Sequence, residues 1–100
     1  MAATFTELIR GDKPVLVDFY ADWCGPCRMM KPILEEVKSK TGNDAIIIKI
    51  DVDKNPALAE KYGISGIPAL IIFKQGEIKC RQAGIVPAHI LIQQLNQHKN

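Results

Sequence analysis

Apolar residues are grouped into short blocks whose spacing predicts alternating strands and helices. Residues 14–21 (PVLVDFYA) and 45–51 (AIIIKID) are nearly continuous apolar runs of strand length, as expected of strands buried on both faces. Between them, residues 27–42 carry apolar positions at helical spacing and end in a glycine. A strand, a helix and a strand over about 40 residues predict a βαβ unit with parallel strands and a right-handed crossover.

The rest of the chain predicts further helices and an antiparallel pair of strands. Helices are predicted just after Thr4, whose spacing to Glu7 suits a capping box, and at residues 55–63 and 87–98; strands are predicted at 69–74 and 77–83. Gln75 and Gly76, between these two strands, form a two-residue loop of hairpin type. We therefore predict one α/β domain over residues 1–100, with a mixed sheet flanked by helices.

Composition and charge exclude several classes of protein. The 100 residues are 47% hydrophobic and 24% charged, which is typical of a folded domain. The net charge is +2 and the charges are scattered, so no nucleic-acid partner is expected. The apolar runs are shorter than the roughly 20 residues that cross a bilayer, so no membrane association is expected. The amino terminus has no pattern of a secretory signal, and cytoplasm is the expected location.

Three cysteines raise the question of redox or metal chemistry. They are too few for a disulfide framework, and Cys24 and Cys27 have CxxC spacing. Two incidental core cysteines are one alternative. A structural zinc site is another, but it needs four ligands, and the remaining candidates, Cys80, His89 and His98, form no second close pair. We therefore expect no metal.

Cys24 and Cys27 are placed where the first buried strand leads into the helix. Unpaired amide hydrogens and the positive end of the helix dipole favour a thiolate at Cys24, which predicts that Cys24 is the nucleophile. Cys27 lies one turn inside the helix, where we expect it to be more buried. From there it can attack a mixed disulfide at Cys24 and release the reduced substrate, as a resolving thiol does.

The segment WCGPC after VDFYAD, followed by KYGISGIPALIIFKQGE, resembles thioredoxins from Phe5 onward. The resemblance implies reduction of disulfides in client proteins and recharging by thioredoxin reductase with electrons from NADPH. The cysteine pair would be the redox centre, without a separate cofactor, and a monomer is expected. Gly25 and Pro26 resemble the reducing members, although an oxidant, an isomerase or a binding module without turnover are alternatives. About a strand's worth of chain that usually precedes the first helix is missing or truncated, so one sheet edge is expected to be short or absent.

Two charged residues interrupt the apolar strands. Burial would raise the pKa of Asp18 and let its carboxylate take a proton from Cys27, and thioredoxins have an aspartate at the matching position. The alternative is a carboxylate on a solvated strand end. Lys49 could pair with Asp18 if the two strands are neighbours, or extend to water.

The resemblance also implies a surface that holds substrate around the dithiol. A cis peptide bond before Pro68 would expose the Ile67 backbone for strand-like pairing with a client segment and would keep metals off the thiolates. Trp23, beside the nucleophile, is expected to shape this docking surface, with a core position as the alternative. The expected substrate-binding residues are Trp23, Gly25, Pro26, Gly66, Ile67, Ala83, Gly84 and Ile85.

Two further predictions concern sulfur-containing residues outside the CxxC pair. Cys80 is expected on one strand face with Ile78 and Gln82 as a buried structural thiol, with accessory oxidation as the alternative. Met29 and Met30 are expected to be packing residues of the helix.

Overall fold

The computed structural model describes residues 4–99, which alternate between short helices and strands. Its helices and strands are α1 (Phe5–Ile9), β1 (Val15–Tyr20), α2 (Gly25–Thr41), β2 (Ile46–Asp51), α3 (Pro56–Lys61), β3 (Ala69–Lys74), β4 (Glu77–Ala83) and α4 (Ala88–His98). The predicted strands and helices are all present. The ends differ by a few residues, and a short 3₁₀ helix (Gly42–Asp44) that the sequence analysis did not predict follows α2.

A four-stranded mixed sheet runs through the middle of the molecule in the order β2-β1-β3-β4. β1 pairs in parallel with β2, and the other two pairings are antiparallel. The predicted βαβ unit and hairpin are thereby confirmed. Within residues 4–99 no strand pairs with the outer side of β2, so β2 lies at an edge of the described sheet, where the sequence analysis expected a short or absent strand.

Helices cover both faces of the sheet. On one face, Leu16 of β1 packs with buried residues of α2 and α4, including Met30 and Leu91. On the other face, Val17 of β1 belongs to a cluster that α1 and the segment just after α3, with Tyr62 and Ile64, help to cover. Because side chains alternate along a strand, Asp18 shares the face of Leu16 and points toward α2.

The hairpin differs from the prediction at β4. A bulge between Ile72 and Phe73 pairs Phe73 with Ile78 and Ile72 with Cys80. Opposite residues of an antiparallel pair share a face, so Ile78 and Cys80 lie on opposite faces, and placing them on one face was wrong. Cys80 is half-buried rather than buried, packed against the cluster on the α2 and α4 face.

The two methionines of α2 also differ. Met30 is fully buried, but Met29 is 61% exposed, so its prediction as a packing residue was wrong. A helix that covers a sheet turns only one face toward it, and consecutive residues point about 100° apart.

Candidate active site

Cys24 and Cys27 are joined by a disulfide at the amino terminus of α2. Cys24 is the N-cap residue, and its Sγ accepts a hydrogen bond from the Cys27 amide at 3.1 Å. This amide and the helix dipole are aimed at the sulfur and stabilise negative charge there after reduction. The two residues are 4% and 7% exposed, so the expectation that Cys27 is the more buried was wrong. Both pack in one small cluster to which Ile67 also contributes.

The segment before β3 passes directly beside the dithiol. The Ile67–Pro68 peptide bond is cis, as the resemblance implies. The Ile67 carbonyl oxygen lies 3.7 Å from Cys24 Sγ. The Pro68 carbonyl accepts a hydrogen bond from the Gly84 amide at 2.8 Å, which fixes the end of β4 next to this segment. Three stretches that are distant in sequence, around Cys24, Ile67 and Gly84, therefore meet at one end of the strands.

The expected docking surface around the dithiol, called the contact patch below, is largely open to solvent. Trp23 is 69% exposed and Ile85 is 45% exposed, so the core alternative for Trp23 was wrong. The other members are exposed or half-buried: Gly25, Pro26, Gly66, Ile67, Ala83 and Gly84. Gly66 and Gly84 both have open space where a side chain would stand, so a partner backbone can come close.

Asp53 is a site residue that the sequence analysis missed. Its Oδ2 accepts a hydrogen bond from Trp23 Nε1 at 2.8 Å, which holds the exposed indole in place. A signal existed, because Asp53 lies two residues after the end of β2, and the carboxyl ends of the parallel strands β1 and β2 lie at the same end of the sheet.

Asp18 is buried in β1, and within residues 4–99 its carboxyl group has no hydrogen-bonding partner. It is 1% exposed, and among the described residues neither carboxyl oxygen finds a donor. Burial raises the pKa of Asp18 to about 6, while the charge of Lys49 acts in the opposite direction. The alternative of a solvated strand end was wrong. A carboxyl with this pKa changes its protonation state near neutrality, which suits a group that accepts and returns a proton.

Lys49 is opposite Asp18 in the parallel register of β1 and β2. Its side chain is exposed, and its ammonium lies 4.6 Å from the centre of the Tyr20 ring, a cation–π contact. Among residues 4–99, Lys49 forms no ion pair within 4.0 Å, so it acts on Asp18 through its field. A cavity of about 170 Å³ lies between Lys49 and Cys27, and Arg28 lines it too.

Residues 4–99 contain neither a cluster of metal-binding side chains nor a helix that could span a membrane. In residues 4–99, no three His, Cys, Asp or Glu side chains are gathered closely enough to hold a metal ion. Over that range, no helix is long and apolar enough to cross a membrane.

The fold and the site together define a dithiol oxidoreductase, with a redox-active CxxC pair at a helix amino terminus on an α/β sheet. The Thioredoxin family model matches residues 1–97. The chain belongs to the thioredoxin family and is a thiol-disulfide oxidoreductase.

Curated relatives are similar along nearly the whole chain. A thioredoxin-like protein of Synechocystis sp. is 53% identical over 94 residues, which cover 93% of this chain and 90% of that protein. A thioredoxin of Alicyclobacillus acidocaldarius is 47% identical, covering 93% and 89%. Thioredoxin Y, chloroplastic, of Oryza sativa is 49% identical, covering 93% of this chain and 56% of the rice protein.

Solved structures show the same architecture. A mutant thioredoxin from Halobacterium salinarum superposes with a TM-score of 0.86 at 39% identity, covering 95% of this chain and 82% of the other. Chloroplastic thioredoxin z gives a TM-score of 0.78 at 34% identity, covering 86% and 78%.

Proposed function

We propose that this chain is a general protein-disulfide reductase that cycles between the Cys24–Cys27 dithiol and disulfide. The observation that carries the proposal is the disulfide at the start of α2, which lies beside the Ile67 carbonyl and is surrounded by an exposed, weakly polar patch. This arrangement offers a nucleophile, a backbone for strand-like pairing and room for a polypeptide.

The reaction proceeds through a mixed disulfide. The Cys24 thiolate attacks one sulfur of the client disulfide, the client S–S bond breaks, and the departing client thiolate takes a proton from water. Cys27 then gives its proton to the Asp18 carboxylate and attacks Cys24 Sγ. The mixed disulfide breaks, the second client sulfur leaves as a thiolate and takes a proton from water, Asp18 returns its proton to water, and the Cys24–Cys27 disulfide forms. Two electrons pass from this chain to the client.

Asp18 and Lys49 have separate roles in the second step. Asp18 is the proton acceptor for Cys27, since it shares the α2 face and is ionised above a pKa of about 6. Lys49 is a positioning residue whose charge opposes the effect of burial on Asp18. Pro68 and Ile67 hold the client segment, and the exposed Trp23 shapes the contact patch next to Cys24.

The oxidised chain is returned to the dithiol by thioredoxin reductase, which supplies electrons that come from NADPH. The cysteine pair itself is the redox centre, and the chain acts as a monomer on disulfide-containing clients. A reducing compartment, with the cytoplasm as the proposed one, keeps this cycle running.

The proposal is tested by the reduction potential of the pair. The purified chain is equilibrated in dithiothreitol or glutathione buffers, free thiols are trapped, and the oxidised fraction is measured. We expect about −270 mV, a value characteristic of a reducing thioredoxin. A value near −120 to −180 mV would identify an oxidant or isomerase instead. Reduction of insulin with NADPH and thioredoxin reductase then tests the recharging step.

A binding module with the same surface is the second candidate, because the exposed patch could hold a partner without turnover. Cys24→Ser separates the two functions. We expect this variant to lose all client reduction, and an unchanged partner-dependent effect in cells would favour the binding module.

A further inference from the structure

A cleft of about 270 Å³ borders the contact patch, between the segment after α3 and the end of β4. Gly66, at one rim, precedes Ile67, whose carbonyl lies beside Cys24. Ala83, at the other rim, precedes Gly84, which is hydrogen-bonded to Pro68. The cleft is therefore continuous with the surface proposed to hold the client.

Arg81 is the charged residue in the lining of this cleft. Its Nη2 donates hydrogen bonds to the carbonyl oxygens of Tyr62 and, at 3.2 Å, Gly63. Within residues 4–99 it forms no ion pair with a carboxylate. A guanidinium carries five N–H donors in a planar fork, so donors remain for another acceptor.

Neutral donors line the same cleft. Ser65 and Gly66 are exposed and lie outside helices and strands. In the described part of the chain, their amide groups donate to no protein acceptor. Carboxylates accept hydrogen bonds from backbone amides and pair bidentately with guanidinium groups. The lining contains no acidic side chain, so no carboxylate in it competes for Arg81, whose Nη2 donates only to backbone carbonyl oxygens in the described part of the chain.

We propose that this cleft binds an acidic side chain of the client polypeptide close to the attacked disulfide, and that Arg81 is the specificity-determining residue. The inference rests on the proposed reductase function and adds a class of preferred client, one with aspartate or glutamate beside the cysteine. Because the charge pair remains partly exposed, we expect it to change the rate of client reduction by up to about fivefold.

The test uses a synthetic peptide with one intrachain disulfide, made with Asp, Asn or Lys at the positions flanking the first cysteine. The rate constant for its reduction by the pre-reduced chain is measured and divided by the rate for the same peptide with dithiothreitol, which removes intrinsic reactivity. We expect the Asp peptide to react about three to five times faster than the Asn peptide, a ratio that falls at high ionic strength.

Variants of one strand identify the residue responsible. Arg81→Gln is expected to bring the Asp-to-Asn ratio to about 1, and Arg81→Glu to invert the order of the Asp and Lys peptides. Arg81→Lys keeps the charge and is expected to keep a ratio above 1. Lys79→Gln changes the net charge equally on the same strand, outside the cleft lining, and is expected to preserve the ratio.

Two results would overturn the inference. One is an Asp preference that survives in Arg81→Gln, and the other is a loss of rate by the same factor for all three peptides, which is the signature of a structural role through the Tyr62 and Gly63 carbonyls. If the unchanged chain fails to reduce even the Asn peptide, the proposed reductase function fails instead.

Discussion

The Asp18 carboxyl is held in a state that opposes folding near neutrality. Its folded-state pKa of about 6 lies above the ordinary value of 3.8, so between these values the folded chain binds this proton more tightly than the unfolded chain does. The contribution of Asp18 to the free energy of unfolding is therefore retained at acidic pH and decreases as pH rises through about 6. A buried carboxyl that lowers stability near neutrality is a candidate for a chemical role, which supports the proposed proton transfer from Cys27.

Replacing Asp18 by asparagine removes this penalty. The difference between the two pKa values corresponds to about 3 kcal/mol at pH 7, and because a buried amide retains part of the cost, we expect Asp18→Asn to raise the free energy of unfolding by about 1–3 kcal/mol. Chemical denaturation of the oxidised protein at pH 7 and pH 4 checks this. The gain is expected to shrink at pH 4, and an equal gain at both pH values would contradict the assignment.

Lys49→Gln removes the cation that favours the ionised form of Asp18. We expect the pKa of Asp18 to rise further, so the pH midpoint for the attack of Cys27 on the mixed disulfide at Cys24 moves upward. The measurement is the rate at which Cys27 resolves a mixed disulfide formed at Cys24, followed from pH 5 to 8. Lys79→Gln makes the same change of charge on β4, at the opposite edge of the sheet from Lys49, and serves as the control. An unmoved midpoint in Lys49→Gln would show that Lys49 does not act on Asp18.

At the scale of elements, the spacing of apolar residues predicted the strands and helices whose burial is visible in their own sequence. The buried runs of β1 and β3 and the amphipathic α2 and α4 were all readable, because burial of one face or both faces leaves a repeat in the sequence. The bulge that separates Ile78 from Cys80 left no such repeat, since it depends on pairing with β3. The site shows the same division. CxxC and Asp18 stand out locally, whereas Asp53 and Arg81 acquire partners only when distant segments meet.

The hairpin between β3 and β4 offers a test of local turn chemistry. Gln75 and Gly76 both have positive φ, at 54° and 81°, a pair that favours Asn followed by Gly. We expect Gln75→Asn to raise the free energy of unfolding by about 0.5–1 kcal/mol, because asparagine tolerates the left-handed region better. Thermal and urea unfolding measure it. Gln97→Asn in α4 is the matched control and is expected to bring no gain, so a similar gain there would refute the turn explanation.

At the scale of the whole molecule, the sheet formed by residues 4–99 ends on one side at β2. Ile46, Ile47, Ile48 and Ile50 surround Lys49, the charged residue within this apolar run. An edge strand with unpaired backbone groups invites pairing with another chain, and an edge lysine opposes it. We therefore expect Lys49 to oppose pairing at this edge in addition to lowering the pKa of Asp18.

Lys49→Ile is expected to increase self-association, whereas Lys49→Gln, which stays polar, is expected to associate much less. Sedimentation velocity over a range of protein concentrations, before and after refolding, compares the two. Equal behaviour of the two variants would show that the edge of β2 is protected by something other than side-chain polarity.

The stretches around Cys24, Ile67 and Gly84, which meet at one end of the strands, are made at different times during synthesis of the chain. Cys24 and Cys27 leave the ribosome well before Pro68 and Gly84, and domains complete their folding as units only once such late segments arrive. Until β3 and β4 are in place, the nascent chain carries a thiol pair without the neighbours that select a client. We therefore expect its early reactivity to be that of ordinary exposed thiols, and selectivity for clients to arise only once the last third of the sequence has folded.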